Sequence, residues 1–300
     1  MDRPASNQSQ HPTRRAFIRD GSLTLLAGTT ALADQPSQPF AAKPAARIGL
    51  VTDLHHADKP ARGTRHYRAT LGKLEEAGGA FIRAAAECVI ELGDFIDSAP
   101  TLAEEKKHLR TVQTHFARLP GDKHHVLGNH CVHLLTKEEF LGEIEKPRSY
   151  YSFDYADWHL VILDACFRSD GVAYQRKNFE WTDPNIPTQE LEWLQADLAA
   201  STKPAMVFAH QRLDAANHYA VKNAPAVRTI LEQSGRVRAV FQGHSHKNDY
   251  REINGIHYTT LVAMVEGSSE ADNGYSVLEI HQDQSLKLSG FRKQANRDFA

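Results

Sequence analysis

Five short motifs, each directly after an apolar run, follow one another along the chain: Asp53-Leu54-His55, Gly93-Asp94 with Asp97, Gly128-Asn129-His130, His210, and Gly243-His244-Ser245-His246. A fold that uses them together must bring five separated strand ends to one edge, where layered α/β proteins gather their ligand-binding groups. In an extended chain, at 180° per residue, Asp53 and His55 point to one side, as do His244 and His246, so each pair can reach one ligand. Singly, such triplets recur by chance. In series, with glycine ahead of Asp94, Asn129 and His244, they specify one site.

The runs that carry these motifs alternate with helical patterns. Arg47 to Thr52 reads as a buried strand, Arg65 to Ala86 as a helix, Cys88 to Leu92 as a second strand, Leu102 to Leu119 as a helix and His124 to Leu127 as a third strand. Tyr150 to Tyr155 and Trp158 to Leu163 form a hairpin pattern turned at Ala156-Asp157. Pro187 to Ala200 is a helix, with proline suited to its first turn. Ala205 to Ala209 and Val237 to Phe241 are further strands, Asn254-Gly255 is a strong hairpin turn, and Tyr275 to His281 and Ser285 to Ser289 close with β pattern. Strands outnumber helices without an internal repeat. The expectation is α/β, with two mixed sheets packed face to face and helices outside.

Ahead of this domain, Thr13-Arg14-Arg15-Ala16-Phe17-Ile18-Arg19 is followed by an apolar run from Leu23 to Leu32 and by Ala31-Leu32-Ala33. A charged segment, a short apolar core and a small-x-small site are the parts of a secretory signal, and the arginine pair before Phe-Ile resembles the twin-arginine form. The expected organisation is a signal over 1–33, a proline-rich leader over 34–45 and one catalytic domain over 46–300. The apolar run is too short to span a hydrocarbon core about 30 Å thick, so no membrane anchor should remain after cleavage. The expected partner is the twin-arginine export machinery and the expected location is periplasmic or otherwise extracytoplasmic.

Composition narrows the function classes. A formal net charge of −2 gives no polybasic footprint for nucleic acid or anionic lipid. A phosphate-bearing substrate must then be drawn by a local cation. Three cysteines without a Cys-x-x-Cys pair indicate neither a disulfide framework nor a thiolate zinc site. The motifs instead offer seven nitrogen and oxygen donors: Asp53, His55, Asp94, Asn129, His210, His244 and His246. This set suits manganese, iron or zinc. Seven donors exceed one ion's needs, and a shared carboxylate would let them hold two ions, the arrangement that clamps both attacking and leaving oxygens of an in-line displacement.

The order Asp-x-His, Gly-Asp-x-x-Asp, Gly-Asn-His, His, Gly-His-x-His resembles the calcineurin-like metallophosphoesterase superfamily. The resemblance implies a four-layer α/β/β/α sandwich and two divalent metal ions. It implies Asp53, His55, Asp94 and His246 on the first metal, and Asp94, Asn129, His210 and His244 on the second, with Asp94 as the bridge. It implies His130 as the non-ligand catalytic histidine that protonates the leaving group. Two positions depart from the pattern. Cys131 stands where an acidic residue usually follows Gly-Asn-His, so another group, Asp97 being the candidate, must orient His130. Asp97 also stands where purple acid phosphatases carry a tyrosinate ligand, which argues against that branch.

Gly63 to Arg68 and Tyr151 to Asp164 are similar to manganese-dependent ADP-ribose/CDP-alcohol diphosphatases, and class III cyclic-nucleotide phosphodiesterases share the metal motifs. The implied activity is hydrolysis of a small phosphodiester or nucleoside-diphosphate-type substrate by a water activated between the metals. A phosphomonoesterase, or a metal-free binding scaffold on the same fold, are the alternatives. Arg65 and Tyr67 are candidates for the substrate mouth, a cation and an aromatic suiting a phosphate and a base. His56 and, with Tyr219, His218 in the loop after His210 are further candidate substrate contacts.

Overall fold

The computed structural model describes residues 43–299; the expected signal and most of the expected leader lie outside the described residues. From Lys43 onward the chain forms one compact unit, and no helix among the described residues is long and apolar enough to cross a membrane.

Among the described residues, twelve strands form two six-stranded mixed sheets. The first runs β12(Arg297–Phe299), β11(Leu286–Arg292), β10(Gly274–Ile280), β1(Ala46–Val51), β2(Cys88–Glu91), β3(Asp122–His125). The second runs β4(Tyr151–Tyr155), β5(Trp158–Ile162), β6(Ala205–Phe208), β7(Val237–Gln242), β9(Ile256–Thr260), β8(Asp249–Ile253). In each sheet the motif-bearing strands pair in parallel: β1 with β2 and β2 with β3, then β6 with β7. Their C-terminal ends therefore lie on one edge.

Why the strands read as continuous apolar runs follows from burial on both faces. Ile48, Leu50, Cys88 and Ile90 of the first sheet meet Leu160, Ile162, Met206, Phe208 and Phe241 of the second in one core between the sheets. The alternate residues Val51 and Val89 pack outward on α1(Thr70–Arg83) and α2(Leu102–Phe116) through Leu74, Phe81, Leu109 and Phe116. Val161, Val207 and Val240 do the same on the other side, against Leu194 of α4(Thr188–Ala200) and Val227 and Leu231 of α5(Ala224–Ser234). The result is the expected α/β/β/α layering.

Several boundaries differ from the sequence expectation. The helix expected from Arg65 begins at Thr70, because the backbone before it pairs elsewhere: His66 N–H donates to Val265 O at 2.9 Å, and Thr64 O accepts from Gly267 N at 2.7 Å. Helix α2 starts on a capping box, Thr101 with Glu104, and ends at Phe116 with a tightened turn to Leu119. β3 lies two residues earlier than expected. The short helix α3(Lys137–Glu143), α5 and β12 were not anticipated.

Candidate metal centre and cleft

The five motifs converge as expected, but not by the pleat of a strand. Asp53 and His55 sit at φ +51° and +46°, Asp94 at +55°, and His244 and His246 at +68° and +62°. All five are in the left-handed region. The premise that each pair lies on an extended chain is therefore corrected: β1 and β7 end before their motifs, and alternating left-handed residues aim both members of a pair inward. Such conformations cost on the order of 1–3 kcal/mol each, and Asp and His tolerate them better than most residues. Tertiary hydrogen bonds hold the turns: Asp53 N–H to Gly93 O at 3.0 Å, His55 N–H to Asp94 O at 2.7 Å, and Gly243 N–H to His210 O at 3.1 Å.

Two donor clusters result, Asp53/His55/His246 and Asp94/His210/His244. Each carboxylate spends one oxygen on the protein and aims the other into the site. Asp53 Oδ2 accepts from His244 N–H at 3.0 Å and Thr52 Oγ1 at 2.7 Å, while its buried Oδ1 has no hydrogen-bond partner. Asp94 Oδ1 accepts from His130 N–H at 2.8 Å. Its Oδ2 lies 3.5 Å from His55 Nε2 and 3.1 Å from His210 Nε2, one in each cluster, so Asp94 links them.

The histidines are oriented from behind. His210 Nδ1–H donates to Leu92 O at 2.8 Å, and His246 Nδ1–H donates to Glu266 Oε1 at 2.6 Å. Both rings then present Nε2 lone pairs forward, as metal-ligating imidazoles do. Those lone pairs face carboxylate oxygens and each other: His246 Nε2 is 3.4 Å from Asp53 Oδ1 and 3.1 Å from His55 Nε2. Acceptors crowded this closely require a cation among them. The titration behaviour agrees: burial pushes His246 down, yet Asp53 and Glu266 lift it to about 9. Burial likewise works against a charged His210, but Asp94 outweighs it and raises its pKa. His244 turns Nδ1 to the second cluster, 3.1 Å from His210 Nε2, while its Nε2 and Asn129 Oδ1 are buried without hydrogen-bond partners.

Glycine ahead of the motifs supplies room. A Cβ on Gly128 would stand 2.3 Å from Asp94 Oδ1, and one on Gly243 would stand 2.5 Å from Asp53 Oδ2.

Beside the clusters, Asp97 Oδ1 lies 3.2 Å from His130 Nδ1 and Oδ2 lies 3.4 Å from His55 Nδ1. A third donor group, His55/Asp97/His130, exists on paper. Asp97 Oδ1 already accepts from Ser98 N–H at 2.6 Å and Lys59 Nζ at 3.0 Å, so this oxygen is committed to the protein, while the buried Oδ2 faces His55 Nδ1 without a hydrogen bond. Cys131 is fully buried in the core under α1 and α2, and the carboxylate that meets His130 Nδ1 is Asp97. Glu105 of α2 fixes the following loop, accepting from Leu134 N–H at 2.6 Å and Leu135 N–H at 3.2 Å.

A cleft of about 340 Å³ opens over the clusters, lined by Arg65, Asn129, His130, Trp181, Tyr219 and the two site histidines of the last motif. The profile of the calcineurin-like phosphoesterase family matches residues 46–248, spanning all five motifs. The chain belongs to that family. Among its relatives, a manganese-dependent ADP-ribose/CDP-alcohol diphosphatase from Oryza sativa is 23% identical, the alignment covering 85% of this chain and 94% of the relative. A 3′,5′-cyclic-nucleotide phosphodiesterase from Nostoc is 21% identical over 70% of this chain and 75% of its own. A dimetal phosphatase from Danio rerio shares the fold, with a TM-score of 0.76 at 20% identity over 86% of this chain and 99% of that one.

Of the proposed substrate contacts, Arg65 lines the cleft. Tyr67 does not: it is buried with Ala57, Ala263 and Val265, beneath the ammonium of Lys59. His56 is buried too, its ring 6.1 Å from that of His108, and burial lowers its pKa to about 4. His218 packs edge-on against Trp181 at 5.5 Å, outside the cleft lining. Sequence reasoning missed Trp181, which is 41% exposed with its ring 5.6 Å from that of His244. Its only signal was a large aromatic in the polar stretch Glu180-Trp181-Thr182-Asp183-Pro184. Glu266, far along the chain, left no signal at all.

Proposed function

We propose that this chain hydrolyses a phosphodiester or diphosphate link in a small nucleotide-like substrate, using two divalent metal ions. The observation that carries the reading is the pair of donor clusters joined by Asp94 beneath a cleft that offers Arg65, His130 and an aromatic wall. Asp53, His55, Asp94 and His246 would hold one ion, and Asp94, Asn129, His210 and His244 the other. When bound, the ions supply an activated water and neutralise charge on the phosphoryl group. The donor set suits manganese, iron or zinc, and the names of the curated relatives favour manganese.

The chain's own groups do the rest. His130, a quarter exposed to the cleft, carries its proton on Nδ1 toward Asp97 when neutral; burial opposes its charged form, but Asp94 and Asp97 outweigh that and raise its pKa. A cationic His130 can therefore release the Nε2 proton to the departing oxygen and keep the Asp97 bond. Arg65 faces the phosphate as a fixed charge. Trp181 and Tyr219, 5.8 Å apart, offer flat surfaces for a nucleobase or similar ring.

With manganese added, the mature protein should act on ADP-ribose or CDP-alcohols with a higher kcat/KM than on simple alkyl monophosphates. A clear preference for the monoesters would overturn this reading in favour of a phosphomonoesterase.

The same proposal includes export. Residues 1–33 lie outside the described residues, and the support is the pair Arg14-Arg15 ahead of the apolar run. Replacing both arginines by lysine should leave uncleaved protein in the cytoplasm; normal export of that variant would refute the twin-arginine route and the periplasmic location with it.

A further inference from the structure

Lys59 lies in the loop after the first motif, outside every pattern the sequence offered. Its ammonium donates to Asp97 Oδ1 at 3.0 Å and to Ser98 O at 3.0 Å, and it sits 4.4 Å over the ring of Tyr67. It is absent from the cleft lining, so it is spent on the protein and not on substrate. We propose that Lys59 is a positioning residue for the hydrolysis described above, locking the Asp97 carboxylate so that one oxygen faces His130 and the other faces His55.

The geometry gives Lys59 a task that the other contacts do not perform. Asp97 has a competing cation: Arg65 Nη1 is 3.9 Å from Oδ2 and belongs to the cleft. Ser98 N–H and Oγ hold Oδ1 from the adjacent residue, at 2.6 and 3.1 Å, and so move with it. Lys59 reaches Oδ1 from a separate loop, and it is itself braced on Ser98 O and on the buried Tyr67 ring. A charge-assisted bond from a braced donor sets the carboxylate plane. Without it, Asp97 turns toward Arg65, His130 loses its Nδ1 acceptor for part of the time, and Arg65 is drawn off the phosphate position. The buried Tyr67, which is not a substrate contact, acquires a role as the platform under Lys59.

The inference rests on the proposed hydrolase reading, and its test separates the two. Lys59→Met keeps an unbranched apolar side chain beside Tyr67 and removes the ammonium with its bonds to Asp97 and Ser98. On an alkyl phosphodiester, whose leaving group needs a proton, kcat should fall about tenfold, within the range for residues that orient an active-site group. On the nitrophenyl analogue kcat should change little, and at saturating manganese two ions should still be bound. Lys59→Arg should restore most of the loss. Equal losses on both esters, or none, would overturn the proposal. A second readout needs no turnover: in zinc-loaded protein labelled at histidine with ¹⁵N, the His130 Nδ1–H signal should shift or broaden in Lys59→Met. An unchanged signal overturns the positioning role even if the wild type hydrolyses none of the substrates, an outcome that would by itself refute only the hydrolase reading.

Discussion

Gly128→Ala is the sharpest single test of how this centre is built. The glycine has φ −105° and ψ 165°, an extended conformation open to any residue, so the added methyl imposes no backbone strain of its own. What it lacks is space: the new Cβ would stand 2.2 Å from Asp94 N and 2.3 Å from Asp94 Oδ1. Neither atom can yield cheaply. The Asp94 backbone is tied through its carbonyl to His55 N–H at 2.7 Å, and Oδ1 holds His130 N–H at 2.8 Å. Overpacking costs about 1–3 kcal/mol, and loss of a hydrogen bond to a charged group about 1.5–3 kcal/mol. Part of the strain relaxes by turning the Asp94 side chain, so the sum is an upper bound. At roughly 2–4 °C per kcal/mol for a unit of this size, thermal unfolding should fall by about 5–15 °C. Because Asp94 serves both clusters, both metals should be lost or weakened together. The control is Gly72→Ala in α1, where a Cβ meets nothing within 4 Å and the better helix former should stabilise by a few tenths to about 1 kcal/mol. If the reasoning holds, calorimetry on the two variants gives shifts of opposite sign, and metal analysis shows a loss in Gly128→Ala and none in Gly72→Ala. A Gly128→Ala protein with two bound metals and full activity would refute it.

Three further outcomes are expected. Asp97→Asn keeps an oxygen toward Ser98 and His130 but puts an amide N–H toward His55 Nδ1; the ring must change tautomer and turn an N–H toward Asp53, so metal affinity should drop roughly 10–100-fold by titration. Lys137→Met strands the buried Asp164, now paired to Lys137 at 2.5 Å, and should cost about 3–5 kcal/mol in urea unfolding. His159 is held between Asp154 Oδ1 at 2.9 Å and Asp197 Oδ2 at 2.8 Å; burial lowers its pKa, the two carboxylates outweigh it, and the net direction is up. Its contribution is therefore complete below the unfolded value of about 6.5 and is lost as pH rises through the folded value. His159→Gln should accordingly destabilise more in mildly acidic than in alkaline buffer, and an equal effect at both would contradict the assignment.

The layering and the position of the centre were legible because they rest on local patterns. Strands buried on both faces must be apolar throughout, which is why Ile48 to Val51 and Met206 to Phe208 stood out. The turns at Ala156-Asp157 and Asn254-Gly255 adopt positive φ at both central residues, +48° and +63°, then +52° and +78°; Asp, Asn and Gly accept that region readily, while Ala156 is held there by the turn. The order of the five motifs brought their donors to one edge once the parallel pairing was granted. α5 could have been read from Pro225 at its start and Gly235, left-handed at φ +62°, just past its end.

What only the tertiary structure decided depends on contacts between segments far apart in sequence. The left-handed turns at Asp53, His55, Asp94, His244 and His246 exist because neighbouring loops satisfy their backbone groups. Glu266 reaches His246 across 20 residues, so it could not be paired from spacing; Asp97, 33 residues from His130, was named as its partner only because the motif order set the two side by side. Tyr67 and Trp181 exchange the roles their neighbourhoods suggest, one buried beneath Lys59 and the other exposed at the cleft. An aromatic side chain has the same composition signal in either place, and only the surrounding packing determines whether its face meets the core or a ligand.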